Sequence, residues 1–213
     1  MTDPGSGTRV TGIVPDPRRE GAVRVEVDGR PLLTVPAEIA VRLGLGVGGL
    51  LSGPVHQELC RAADAEAAFR TALRALERRP FAARDLARRL ILKGHPPEAA
   101  EQAVGRAEGL GLVNDETYAR HFIQTRSARG RGPARLRREL TAMGVVPPLV
   151  DRLLSEELPE EQTLDRVAAL ARKRAGQLTG LARQDRVRRV VAYLARRGYR
   201  GPEVVRAVRE VCR

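Results

Sequence analysis

Arginine is the residue type whose abundance and spacing in this sequence indicate a chemical role. The chain holds 38 lysines and arginines against 26 acidic residues, and its formal net charge is +12. Guanidinium groups bind the oxygens of phosphates and carboxylates through charge-assisted hydrogen bonds. The excess therefore predicts a surface that binds a polyanion, either nucleic acid or an acidic protein surface.

The positive charge is concentrated toward the end of the chain. Residues 1–60 hold six arginines and seven acidic residues, whereas residues 163–213 hold fourteen basic and four acidic residues. The sequence has three Phe, three Tyr and no Trp, which disfavours stacking on single-stranded bases. Arginine contacts to phosphates position a protein without reading sequence. We therefore expect sequence-independent contact with single- or double-stranded DNA, or with acidic side chains.

The remaining reactive residues form no pattern that predicts catalysis. His56, His95 and His121 are isolated, and Cys60 and Cys212 lack metal-ligand or redox spacing, so we expect reduced thiols. The sequence contains no Walker lysine, HExxH, CxxC or GxSxG motif. We predict a protein that is not an enzyme and has no cofactor and no metal site.

The sequence predicts no membrane partner. Its start lacks the basic and apolar regions of a signal peptide. No apolar run approaches the roughly 18 residues that span a bilayer. We expect a cytoplasmic protein that acts as a monomer.

The elements that must position the arginines begin with a small β module, predicted over residues 1–58. Residues 8–35 alternate apolar and polar side chains and are rich in valine. Asp28-Gly29 predicts a tight type I′ hairpin turn. Pro36 is expected to open a short helix, and Gly44 to end it in a left-handed cap.

A repeat centred on three glycines follows, at Gly94, Gly144 and Gly198. Leucine or valine stands eight and four residues before each glycine, and an apolar residue stands six and ten residues after it. This spacing predicts a helix, a left-handed glycine cap and a second helix that begins at a proline. The predicted apolar positions are Leu86, Leu90, Ala100, Val104, Leu136, Leu140, Val150, Leu154, Val190, Leu194, Val204 and Val208.

A further helix before each pair completes three tandem three-helix units, predicted at residues 61–110, 111–158 and 159–213. The predicted fold is mainly α, an elongated array of these repeat units preceded by the β module. Asn114 or Asp115 is expected to cap the first helix of the second unit. The acidic residues around Pro159 are expected to form a hydrated linker between the last two units rather than a weak cation site; they are Glu156, Glu157, Glu160 and Glu161.

Several arginines are predicted to project away from the core. On a helical wheel centred on Leu136, Arg137 and Arg138 leave the apolar face. The same argument applies to the first and third repeat units. The predicted contact residues for the polyanion are Arg88, Arg129, Arg131, Arg137, Arg138, Arg188, Arg189 and Arg196.

The stretch from Gly111 to Val145, "GLVNDETYARHFIQTRSARGRGPARLRRELTAMGV", closely resembles the central motif of the RecX family of bacterial RecA modulators. The stretch from Ala72 to Gly94 resembles that family's other motif, and the β module resembles an extension carried by some members. The matching residues of the central motif are Asp115, Tyr118, Ala119, Arg126, Gly132, Pro133, Leu136, Glu139 and Leu140. The chain departs from the family pattern at Ala82, where a serine usually caps a helix, and at Asp85, where glutamate is usual. The lost cap would cost about 1 kcal/mol.

The resemblance implies a regulator that binds the RecA nucleoprotein filament along its groove. It implies limits on filament growth, ATP hydrolysis and strand exchange, and hence a place in homologous recombination, DNA repair and the SOS response. Two other functions stay open on the residues alone. One is a general DNA-binding or transcription-regulating helical protein that acts without RecA, and the other is a scaffold for a different acidic partner.

Overall fold

The structure is a computed structural model that describes residues 8–213. Residues 1–7 lie outside the described residues. They include the start of the predicted β module and the start of the segment considered for a signal peptide. The first strands are β1 (Val10–Pro15), β2 (Ala22–Val27) and β3 (Arg30–Pro36), which form an antiparallel sheet in that order. The β-rich start of the chain is therefore confirmed.

The turn between β2 and β3 follows the prediction from Asp28-Gly29. The two residues have φ angles of 50° and 76°, which are the left-handed values that a two-residue type I′ turn requires. Helix α1 (Ala37–Arg42) follows Pro36 directly, and Gly44 has a φ of 63°. The residue types at these positions thus determine where the β2–β3 turn lies and where α1 begins and ends.

Helix α2 (Gly53–Leu76) covers the sheet with its first half. Leu59 of α2 is fully buried together with Val25 and Val35 of the sheet. The second half of α2 packs against α4 (Pro97–Gly109). One uninterrupted helix therefore joins the sheet to the helices that follow it.

The other helices follow the predicted repeat. They are α3 (Ala83–Leu92), α5 (Asp115–Ala128), α6 (Pro133–Ala142), α7 (Pro147–Glu157), α8 (Glu160–Gly176), α9 (Arg183–Arg197) and α10 (Pro202–Val211). The three repeat glycines have φ angles of 91°, 94° and 96°, and every apolar position predicted from their spacing is buried. The glycine-centred register is confirmed.

The described chain divides into two compact units. One comprises the residues up to Pro80 together with Leu86–Leu112, and the other comprises Phe81–Asp85 together with Val113–Arg213. Within the second compact unit, α5, α6 and α7 enclose one apolar core, and α8, α9 and α10 enclose another. Each of these helix triplets buries its own apolar faces, as expected for tandem repeats.

The cap missing at Ala82 is supplied from another part of the chain. Asn114 caps α5, because its side chain accepts a hydrogen bond from the Thr117 N–H at 2.9 Å. The neighbouring Asp115 instead accepts from the N–H of Ala83, the first residue of α3, at 2.8 Å. The expected loss of a helix cap is therefore wrong, since the Asp115 carboxylate satisfies a donor of the first turn that would otherwise lack a partner.

Candidate functional site

The end of helix α9 meets the beginning of helix α6. The Gly132 N–H donates to the carbonyl of Arg197 at 2.7 Å, and the Ala134 N–H donates to the carbonyl of Gly198 at 3.2 Å. The Arg197 guanidinium also donates to the carbonyl of Gly130 at 3.3 Å. The first N–H groups and last carbonyls of a helix lack partners within it, so each helix end satisfies the other. We call residues 132–134 and 197–198 the helix-end junction.

Glycine is required on both sides of the helix-end junction. A Cβ atom on Gly132 would lie 2.6 Å from the carbonyl carbon of Gly198. A Cβ atom on Gly198 would lie 2.5 Å from the main-chain nitrogen of Arg135, and Gly198 has a φ of 96°. These distances are too short for any side chain. The close approach of the two backbones therefore depends on the two glycines.

A cleft of about 410 Å³ lies beside the helix-end junction. It is formed by residues of α6, the end of α9 and the loop that follows α9. We call it the arginine cleft, and its lining residues are Ala134, Arg135, Arg138, Ala195, Arg196, Gly198 and Arg200. Four of these side chains are cationic and none is acidic, so the lining itself carries no compensating negative charge.

Three arginines of the cleft keep their hydrogen-bond donors available. Arg138, Arg196 and Arg200 are exposed, and none has an ion-pair partner within residues 8–213. An unpaired guanidinium offers its whole fork of donors to a phosphate or a carboxylate. The cleft is therefore suited to an anionic ligand with several oxygens.

The fourth arginine of the cleft is held in place by a carboxylate. Glu139 accepts from Arg135 Nε at 2.9 Å and also pairs with Arg131. Partial burial alone would raise the pKa of Glu139, but the hydrogen bonds from the two arginines outweigh it and lower that pKa. Glu139 thus stays ionised at neutral pH and holds Arg135 at the edge of the cleft.

Arg137 forms an ion pair with Asp151. Its Nε and Nη2 atoms lie 2.6 and 2.8 Å from the two carboxylate oxygens of Asp151. The hydrogen bonds from Arg137 lower the pKa of Asp151. This bidentate pair links α6 to α7, so Arg137 is exposed, as predicted from the helical wheel, and yet is not free.

The other predicted contact residues lie outside the arginine cleft. Arg188 pairs with Asp185 at 2.9 Å. Arg129 and Arg189 are exposed and have no ion-pair partner in the described part of the chain. Arg88 is exposed on α3 and belongs to the first compact unit. Of the predicted set, the structure therefore brings Arg138 and Arg196 together in one cleft.

Sequence reasoning missed Arg135 and Arg200. Arg200 lies in the loop after α9, where a helical wheel gives no direction. Its position between Gly198 and Gly201, which both have positive φ, is a sequence signal for a sharp turn after the helix. Arg135 carries no signal of its own, because its place in the cleft depends on where α9 ends.

The acidic residues expected to form a hydrated linker belong in part to an ion-pair network. Helix α7 continues through Glu156 and Glu157, and both pair with Arg120 of α5. Arg152 pairs with Glu116 at 2.8 Å. These hydrogen bonds raise the pKa of Arg120 and lower that of Glu116. The linker expectation is wrong, because Glu156 and Glu157 end α7 within this network and Glu160 and Glu161 form the first turn of α8. The arginines of the network are already neutralised.

The histidines show ordinary local contacts. His95 Nε2 lies 2.9 Å from Thr71 Oγ1, at the turn where Gly94 ends α3. The exposed His121 lies 3.4 Å from Thr125 Oγ1. In the part of the chain that the structure describes, no three His, Cys, Asp or Glu side chains are grouped to hold a metal ion. Among the same residues, no helix has the length and apolar character needed to cross a bilayer.

Family models match all three repeats. Residues 68–106 match "RecX, first three-helix domain", residues 114–154 match the second such domain, and residues 160–208 match the third. The matched segments coincide with the helix triplets around the three repeat glycines. The three repeats inferred from the glycine spacing thus correspond to the three domains of these family models.

Relatives and solved structures agree with these matches. "Regulatory protein RecX" of Streptomyces coelicolor is 38% identical over 140 residues, which is 65% of this chain and 73% of that protein. The protein of the same name from Thermus thermophilus is 38% identical over 128 residues, 60% of this chain and 80% of its own length. A crystal structure of regulatory protein RecX covers 95% of this chain and 99% of its own, with a TM-score of 0.77 and 20% identity. That of RecX from Lactobacillus salivarius covers 70% and 96%, with a TM-score of 0.63 and 16% identity.

Proposed function

This chain belongs to the RecX family, and from that premise we propose that it regulates a RecA recombinase. It binds the RecA–DNA filament and limits filament growth, ATP hydrolysis and strand exchange. The regulation is non-catalytic and acts through binding alone. The relatives' shared name, Regulatory protein RecX, supports the regulatory part of this proposal.

The arginine cleft is the observation that carries the proposal. Arg138, Arg196 and Arg200 are exposed and have no ion-pair partner within residues 8–213, whereas Arg120 and Arg152 are neutralised by glutamates. A filament of protein and DNA presents both carboxylates and phosphates, and guanidinium groups bind either. Contacts of this kind are independent of base sequence, as a regulator of filaments on any DNA requires.

The single-strand-DNA-dependent ATPase of RecA tests the proposal. The chain is titrated into RecA at concentrations well below that of RecA. Inhibition at such substoichiometric amounts supports action on the filament. Inhibition only once the chain coats the DNA supports instead a general DNA-binding protein that competes for the strand, and its affinity for DNA alone then falls steeply with salt.

A further inference from the structure

A second depression adjoins the arginine cleft within the same compact unit. It has a volume of about 460 Å³ and shares Ala134, Gly198 and Arg200 with the cleft. We call it the apolar groove. Because the two depressions share these residues, they are neighbours on the surface of this unit.

The walls of the apolar groove are mainly hydrophobic. They include Leu158 at the end of α7, Leu164 on α8 and Val204 on α10. An apolar side chain placed among these residues would be removed from water, which is favourable in proportion to the area buried. The groove is therefore suited to an apolar anchor rather than to a sugar or a phosphate.

Tyr199 supplies an unused polar group at the groove. Tyr199 lines the groove and is only 3% exposed. Its hydroxyl has no hydrogen-bond partner within residues 8–213. Burial raises the pKa of Tyr199, and a tyrosine hydroxyl is in any case protonated at neutral pH. A hydroxyl at the wall of the groove can donate to a carbonyl or a carboxylate of a ligand.

The charges around the groove distinguish a protein ligand from a nucleic acid. Glu160 and Glu203 line the apolar groove together with Arg200, so the groove, unlike the cleft, is not a purely cationic surface for a phosphodiester chain. Arg138 and Arg196 lie in the adjoining cleft, where they attract carboxylates. The pattern therefore complements a chain that is apolar at one end and acidic at the other.

We propose that the apolar groove and the arginine cleft together bind a protein segment in which apolar side chains are followed by acidic residues. The apolar side chains enter the groove, and the carboxylates contact Arg138, Arg196 and Arg200. This inference rests on the proposed function in one respect, that the arginine cleft is a binding surface. It adds that the apolar groove beside the cleft takes a protein segment.

A peptide probe tests the inference without RecA or DNA. The probe is a fluorescein-labelled peptide of two leucines followed by five glutamates, and its binding to the full chain is measured by fluorescence anisotropy. We expect saturable binding that weakens at least tenfold when serines replace the leucines or glutamines replace the glutamates. The variant Ser155→Trp places a bulky side chain at an exposed position of the groove wall and should weaken binding by a similar factor.

A tryptophan reporter locates the bound probe. The sequence has no Trp, so the variant Leu164→Trp carries a single indole at the groove wall. An unlabelled peptide should shift its emission, and oligothymidylate should not. If only oligothymidylate shifts the emission, or if the labelled peptide fails to bind the unaltered chain, the inference is wrong. Retained RecA ATPase inhibition in that case leaves the proposed function standing, whereas peptide binding without ATPase inhibition overturns the proposed function alone.

Discussion

The N–H of Gly132 lies 2.7 Å from the carbonyl oxygen of Arg197 and donates to it. This bond connects the beginning of α6 to the end of α9, and so joins the second helix triplet to the third. Arg135 and Arg138 reach the arginine cleft from α6, whereas Arg196 reaches it from α9. Neither triplet contains the whole cleft. The site therefore depends on the helix-end junction as much as on its arginines.

The variant Gly198→Ala should destabilise the protein by about 1–3 kcal/mol, the usual cost of a strained backbone. Gly198 has a φ of 96°, and a Cβ there would lie 2.5 Å from Arg135 N. Urea unfolding followed by circular dichroism measures the change. Gly176→Ala is the matched control, because the space around Gly176 is open, and it should be neutral or slightly stabilising. Equal stability of the two variants would contradict the account of the junction.

The variant Asp115→Ala should lower the free energy of unfolding by about 1 kcal/mol, the usual worth of a helix cap. It removes the oxygen that accepts from the Ala83 N–H. Asp115→Asn keeps an acceptor at the same place and should recover most of the loss. The same urea titration compares the two. If Asn and Ala destabilise equally, the carboxylate acts through its charge and not as a cap.

Stability should fall as the solution is acidified below about pH 4, the ordinary pKa of a carboxyl group. Hydrogen bonds from arginine lower the pKa of Glu116 and Asp151, and Glu139 is shifted in the same direction against its burial. In acid the unfolded chain therefore binds more protons than the folded one, so stability is complete above the ordinary pKa and is lost as pH falls through the lower folded values. Urea unfolding at about pH 6 and pH 3 measures the difference. Glu139→Gln should reduce this pH dependence, and stability that rises on acidification would contradict the ion-pair assignment.

Arg138→Gln should weaken binding to single-stranded DNA more than Arg137→Gln does, although the two residues are neighbours on α6. Arg138 is unpaired within residues 8–213, whereas Arg137 is held by Asp151. If Arg138 contacts a phosphate, its loss should reduce the slope of log K against log[salt] by about 0.7. Fluorescence anisotropy with labelled oligothymidylate at several salt concentrations measures both quantities. Equal losses in the two variants would show that charge alone, and not the cleft, determines binding.

Much of the fold could be predicted because its signals are local. The spacing around Gly94, Gly144 and Gly198 predicts helix, cap and helix within about twenty residues, and the structure buries the positions that it indicates. The turn at Asp28-Gly29 depends only on the φ values of those two residues. In both cases the residue type restricts the backbone directly.

The site could be predicted only in part, because it depends on contacts between distant segments. The hydrogen bond from Gly132 to Arg197 joins two main-chain segments that are distant in sequence, and it leaves no side-chain pattern in the sequence. The helical wheel shows that Arg137 and Arg138 point away from the core, but not that Asp151 holds only the first of them. Ion pairs between helices become visible only once the packing is known.

The central claim is that the arginine cleft carries the regulation of RecA. The decisive measurement is the single-strand-DNA-dependent ATPase of RecA, titrated with the wild-type chain and with the triple variant Arg138→Glu, Arg196→Glu and Arg200→Glu. The control is a triple variant with the same change of charge at exposed arginines outside the cleft, Arg172→Glu, Arg206→Glu and Arg209→Glu. The account predicts that the cleft variant, folded by circular dichroism, loses inhibition at substoichiometric amounts while the control retains it. Full inhibition by the cleft variant, or equal loss in both, would contradict the claim.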